Sequence, residues 1–251
     1  MIIDPKKMKH VELTGEGLTV EKVVAVARFQ AEVSISKEAV EKMRKSRARV
    51  EQIVESEVPT YGINTGFGDF STISIDKGNI KNIQKNLILS HCVATGKPYE
   101  KEVVLAIMLL RANALCIGFS GIRPEVVQTL VKMINQKVIP VIPQKGSLGA
   151  SGDLAPLAHM VLPLIGYGKA VYEGEELDGA DAMKRAGIPL VELEAKEGLA
   201  LINGTQAMTA VGTLAYYDAL MAAQLADIAC AMSMEALLAL TNAFDERVQA
   251  V

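Results

Sequence analysis

Helical spacing of apolar residues dominates this 251-residue sequence and leaves little room for an extended sheet. Thr19 is placed to cap a helix over VEKVVAVARF, and Ser36 another over KEAVEKMRKSRARVEQIVES. Each offers a side-chain oxygen to first-turn N–H groups that have no partner within the helix. Helical patterns return at about 79–94, 101–116 and 124–135, and again over 154–164. From 195 onward the sequence is Ala/Leu/Met-rich helix, with small residues that permit close packing. The fold class expected is therefore mainly α, with minor short strands. VIPVIPQKGS reads as an extended connector, and GKAVYEGEELDG as a surface β-hairpin turning at Gly174. PTYGINTGFGDFSTIS follows no sustained period and reads as a loop.

Half of the residues are hydrophobic and there is no tryptophan, enough for a sizeable core without a disulfide or metal staple. The net charge of −3 is spread over interspersed acids and bases, which points away from nucleic-acid and membrane-surface partners. Cys92, Cys116 and Cys230 lie in apolar stretches without a C-x-x-C pair. They are expected to be buried thiols in a reducing compartment, hence a cytoplasmic location. MIIDPKKMKH has no apolar run of the kind that marks a secretory leader. The tract 207–240 is greasy but interrupted by Asp218, Gln224, Asp227 and Glu235, so it is expected to form a long buried helix pair and not a membrane span. The chain closes on Gln249-Ala250-Val251 with neither a charged tail nor a capping glycine, and is expected to be part of something longer.

The stretch richest in chemistry is GSLGASGDLAPLAH, 146–159. Asp153 can cap the helix that follows, with Pro156 in its first turn where a missing N–H costs nothing. One reading is thus a glycine-rich turn into a capped helix. A second starts from Gly152, whose lack of a Cβ lets its nitrogen approach the carbonyl of Ala150. Closure with loss of water, including the Ser151 hydroxyl, would give a five-membered ring bearing a methylidene, which is a strong electrophile. The helix N-terminus beyond it would favour negative charge on that ring. Spacing alone leaves both readings open.

The whole motif resembles the signature of the aromatic amino acid ammonia-lyase family. YGINTGFGDF (61–70), NLILSHCVATG (86–96) and GLALINGTQAM (198–208) are similar to further family segments in the same order, and the likeness runs to TNAFDERVQAV at the end. The resemblance implies the helical N-terminal domain of the ammonia-lyase fold over 1–251, with the C-terminal helical half absent, because family members are about twice as long. It implies a 4-methylideneimidazol-5-one (MIO) prosthetic group made autocatalytically from Ala150, Ser151 and Gly152, with no metal and no dissociable cofactor. Tyr61 would transfer a proton from a loop freed by Gly62, Gly66 and Gly68, with Gly62 beside the substrate. His91, in a Ser-His pair typical of the histidine-specific branch, would read the substrate ring. Asn203, which the residues alone suggest as an N-cap between two helices, would hold the substrate or the ring oxygen. His10 and His159 are given no such role, and His159 is expected to be structural.

The activity implied is deamination of histidine to urocanate and ammonia. The rivals are a phenylalanine or tyrosine ammonia-lyase, an aminomutase using the same group, and a helical assembly module whose Ala-Ser-Gly never cyclises. Partners implied are a small amino-acid substrate, the C-terminal half and the other subunits of a homotetramer. A free amino acid also brings a carboxylate, for which a bidentate arginine is the natural partner. None of the four motifs contains one: Arg111 and Arg123 are placed at helix flanks elsewhere, and Lys145 alone lies near the Ala-Ser-Gly turn. In the family that arginine belongs to the other half, so the fragment alone is expected to be inactive.

Overall fold

The computed structural model describes residues 4–56, 58–68, 73, 75–148 and 152–250. Ala150 and Ser151 thus lie outside the described residues, as does part of the loop after Gly68. The chain divides into two units, 1–213 and 214–251.

The first unit begins with β1 (His10–Leu13), α1 (Val20–Phe29) and β2 (Glu32–Ile35), in which the two strands pair in parallel, His10 opposite Glu32 and Leu13 opposite Ile35. Both strands are short alternating segments, HVEL and EVSI, too brief for periodicity to separate from loop. Thr19 caps α1 by accepting from the Lys22 N–H, as its position predicts. The helix α2 (Lys37–Ser56) follows, and the Ser36 hydroxyl accepts from the Ala39 N–H at 3.1 Å. It buries Ala39, Met43, Arg47 and Val50, which stand three or four residues apart and so form one stripe.

After α3 (Ile80–His91) and β3 (Thr95–Pro98), the central helix α4 (Lys101–Cys116) is apolar all round and buried along most of its length. It packs against α1 on one side and α5 (Pro124–Gln136) on the other. The connector then supplies β4 (Ile139–Pro140) and β5 (Pro143–Lys145). β5 pairs antiparallel with β3, Thr95 opposite Lys145. Beyond α6 (Leu154–Val161), the predicted hairpin is present as β6 (Lys169–Tyr172) and β7 (Glu175–Asp178), with β4 added along its edge. Its two turn residues, Glu173 and Gly174, have φ of 51° and 87°, the pair of positive values that a tight primed turn requires. The short helices α7 (Gly179–Arg185) and α8 (Glu197–Ile202) lead to α9 (Gln206–Ala236), which runs on into the second unit.

In the second unit the tract expected as a buried helix pair is the continuation of α9, a single helix, and α10 (Glu246–Gln249) is its last element. Leu225, Ile228 and Met232 are exposed on α9, so burial within this chain does not account for their apolar character. Cys230 is likewise exposed, whereas Cys116 is buried and Cys92 half-buried. Burial pushes the Cys92 thiol up to about 11 and the Cys116 thiol to about 12, so neither supplies a thiolate at neutral pH.

Candidate active site

Segments distant in sequence meet on α8, a helix of six residues, and on the bend that follows it. Its N-terminal end is anchored by Glu197, which is 0% exposed. Glu197 Oε1 accepts from the Arg123 backbone N–H and Nε, at 3.0 and 2.8 Å, and Oε2 accepts from Arg123 Nη2 at 2.7 Å and the Glu194 N–H at 2.8 Å. Arg47 adds its charge from 3.7 Å. A buried carboxylate is tolerable only when its lone pairs are filled and its charge matched, and both conditions hold here. Arg123 is therefore part of a strut and not a bystander at a helix flank.

Two further segments reach the same end of α8. Gln84 of α3 is 1% exposed, and its side-chain oxygen accepts from the N–H groups of Gly198 and Leu199 at 2.9 and 3.4 Å. These are first-turn donors with no intrahelical partner, so a side chain from another helix caps α8. The approach is close: a Cβ on Gly198 would sit 2.7 Å from the Gln84 carbonyl oxygen. Gly62 makes the second approach. At φ +73° it adopts a conformation that favours glycine, and a Cβ there would lie 2.5 Å from Leu199 Cδ2. Gly62 thus serves close packing against α8.

Tyr61 stands 55% exposed on a turn that is itself well fixed. The Thr60 N–H donates to Asn64 Oδ1 at 2.7 Å, Asn64 Nδ2 donates to the Val58 carbonyl at 2.9 Å, and Ile63 is buried with Val50, Ile80 and Ala195. The Tyr61 ring meets Phe67 edge to face at 6.1 Å, a favourable aromatic geometry.

His91 lies seven residues, about two helical turns, beyond Gln84 on α3, and so on the same face. Its Nδ1 is 2.8 Å from the Leu87 carbonyl, which can only accept. A proton on Nδ1 suits that contact, and in that tautomer of the neutral ring Nε2 is left as an acceptor. The end of α3 is tied to the Ala-Ser-Gly motif by the β3–β5 pairing and by Gly146, where a Cβ would meet that of Ala94 at 2.7 Å.

The far end of α8 delivers Asn203, which is its C-cap and not the N-cap that the residues suggested. The next residue, Gly204, holds the motif. Leu148 and Gly152 form an antiparallel bridge, which sets side by side the backbone on either side of 149–151. Gly152 has φ +150°, open in practice to glycine alone, and a Cβ there would lie 2.7 Å from the Gly204 carbonyl oxygen. The adjoining Asp153 N–H donates to that same oxygen at 2.6 Å.

Asp153 does not cap α6 with its side chain, contrary to the expectation from its position. Its carboxylate, 2% exposed, accepts from the Met208 N–H at 2.8 Å and from the Ser147 hydroxyl. It thus caps the first turn of α9, and the first turn of α6 keeps its N–H groups free of this side chain. Arg111 is the residue that sequence reasoning missed. It lies within α4, is 5% exposed, and donates to the Ala200 carbonyl and to Gln206 Oε1 on either side of Asn203-Gly204-Thr205. An arginine in an otherwise apolar helix, LAIMLLRANALC, was the available signal. His159 sits on α6 with its Nε2 buried and, among the described residues, without a hydrogen-bond partner, and desolvation lowers its pKa. Among the described residues no group of acids, histidines and cysteines could hold a metal ion.

A family model described as aromatic amino acid lyase matches residues 18–251. The chain is 56% identical over 244 residues to a histidine ammonia-lyase of Caldanaerobacter subterraneus subsp. tengcongensis, covering 97% of this chain and 48% of that protein. Its structure resembles that of a histidine ammonia-lyase from Trypanosoma cruzi, at 39% identity and a TM-score of 0.87, covering 96% of this chain and 47% of the other. It also resembles a tyrosine aminomutase from Streptomyces globisporus, at 39% identity and a TM-score of 0.84, covering 90% and 42%. The chain spans about half the length of the curated relatives it matches.

Proposed function

The chain belongs to the aromatic amino acid lyase family, and from that premise we propose that it is the N-terminal half of a histidine ammonia-lyase that converts L-histidine to urocanate and ammonia. The observation that supports the choice of substrate is the 2.8 Å approach of His91 Nδ1 to the Leu87 carbonyl. With a proton on Nδ1 facing Leu87, Nε2 offers a lone pair to an imidazole N–H, which a phenyl ring lacks.

The prosthetic group proposed is the methylideneimidazolone of Ala150-Ser151-Gly152. The surroundings of Gly152 fit it: the third residue must lack a Cβ, and Gly204 fills that space. Once formed, the group supplies an electrophile for the substrate amine. The free first turn of α6 favours negative charge beside it. Asn203 presents an amide at the end of α8, able to donate and accept toward substrate. Tyr61, exposed on a braced turn, is assigned the transfer of the substrate's β-proton.

The exposed apolar residues of α9 are assigned to contacts with the missing half and with other subunits of a homotetramer. The stretch 197–236 is long and apolar enough to cross a membrane by composition alone. Its family membership and the acids Asp218, Asp227 and Glu235 favour a protein partner over lipid. A cytoplasmic location belongs to the same proposal.

The test replaces the corresponding half of the Caldanaerobacter enzyme with these residues and follows urocanate from L-histidine by ultraviolet absorbance. Steady release of urocanate is the expected result. A folded tetramer that yields only a β-amino acid would reassign the chain to the aminomutases, which the Streptomyces likeness keeps in view. A folded tetramer inert toward histidine would overturn the proposal.

A further inference from the structure

Arg111 is a buried cation with no ion pair among the described residues. Its Nη1 donates to Gln206 Oε1 at 2.9 Å, its Nη2 donates to the Ala200 carbonyl, and its Nε has no hydrogen-bond partner among the described residues. Burial lowers its pKa to about 10, so the charge persists at neutral pH and desolvation opposes it. An uncompensated charge in an apolar helix is a poor device for stability alone. Its two acceptors show what it holds. Ala200 lies in the last turn of α8 and Gln206 opens α9, so the guanidinium spans the bend Asn203-Gly204-Thr205. The fit is tight, since a Cβ on Gly204 would lie within 2.2 Å of Arg111 Nη1. The other side of Gly204 faces the motif, accepting from the Asp153 N–H at 2.6 Å and filling the space where Gly152 lacks a Cβ.

Resting on the prosthetic group proposed above, we infer that Arg111 is a positioning residue for its formation: it braces the bend so that the Gly204 backbone holds Gly152 in the orientation cyclisation needs. In that step the Gly152 nitrogen bonds to the Ala150 carbonyl carbon. The Ala150 oxygen leaves as water with the amide protons of Gly152 and Ser151, and a C=N bond forms. The Ser151 hydroxyl leaves as a second water with the Ser151 Cα proton, giving the methylidene. Atoms and electrons balance without an oxidant. The unfavourable part is holding a peptide nitrogen against a neighbouring carbonyl, which a rigid bend supplies in advance.

The experiment compares the chain with Arg111→Met, Arg111→Lys and Gly204→Ala, the last crowding both the guanidinium and its acceptor Gln206 Oε1 while keeping the charge. Intact mass reads the loss of two waters, and amide hydrogen exchange reads the Asp153 and Met208 N–H groups, which report on the bend. Arg111→Met is expected to retain both waters and to exchange at these two amides roughly tenfold faster or more, as removal of a hydrogen bond implies. Leu130 and Met133 in α5 keep their protection, and Arg111→Lys restores part of both readouts. Gly204→Ala gives the same result if Arg111→Met fails to fold. Dehydration and exchange at the parent's level in Arg111→Met, or in Gly204→Ala where that variant stands in, would overturn the inference. A parent chain that keeps both waters bears on the prosthetic group in this chain; exchange at Asp153 and Met208 then decides the role of Arg111.

Discussion

The Gln84 side-chain oxygen accepts from the Gly198 N–H at 2.9 Å, joining the helix that carries His91 to the helix that delivers Asn203. Replacing Gln84 by Met keeps the bulk and strands the buried Gly198 N–H, which costs about 1–3 kcal/mol for a group left unsatisfied. Urea unfolding should show that loss. Gly198→Ala is the sharper probe. In an ordinary helix it gains about 1 kcal/mol, but here the new Cβ meets the Gln84 carbonyl oxygen at 2.7 Å. The variant should be destabilised, and a raised unfolding midpoint would mean that the α3–α8 approach is misjudged.

Stability should carry a signature of His159. Its pKa is lowered from 6.5 by desolvation, so the unfolded chain binds the proton more readily than the folded one. The contribution is present above pH 6.5 and is lost as pH falls through the lower folded value. His159→Met should remove this part of the slope between about pH 7 and pH 5. If parent and variant midpoints run parallel across that window, the ring is not held neutral by burial.

Ser151→Ala removes the only source of the methylidene carbon and one small side chain. In the full-length chimera it should abolish turnover, while circular dichroism and the unfolding midpoint stay near those of the parent. Near-normal kcat would sink the mechanism.

Tyr61→Phe keeps the ring contact with Phe67 and deletes the hydroxyl. The chimera should lose kcat by roughly 10²–10⁴-fold, the range for a general acid or base. A change confined to KM would reassign Tyr61 to substrate binding.

Exchanging Ser90-His91 for Phe-Leu removes the Nε2 acceptor and the hydroxyl that lies 3.1 Å from Nδ1. The kcat/KM for histidine should fall by roughly tenfold or more, because a substrate N–H buried without an acceptor is strongly disfavoured. Unchanged selectivity would withdraw histidine as the assigned substrate.

Elements with local causes could be read from the residues alone. Thr19 and Ser36 mark two helix starts because a cap needs only a hydroxyl and three following residues. Gly174 marks the hairpin because its turn needs positive φ at adjacent positions. The Ala-Ser-Gly motif was read through its resemblance to the family, since its spacing alone left an ordinary capped turn equally open. Only the folded arrangement could assign the groups whose partners are distant in sequence. Asp153 sits where an N-cap belongs, yet its carboxylate takes the Met208 N–H, 55 residues away, a first-turn donor of α9 that has no acceptor within its own helix. Arg111, hidden in an apolar helix, finds acceptors 89 and 95 residues further on. Gln84 caps a helix it precedes by more than a hundred residues. A buried polar group must be satisfied wherever the fold offers a partner, and no spacing rule along the chain encodes where that is.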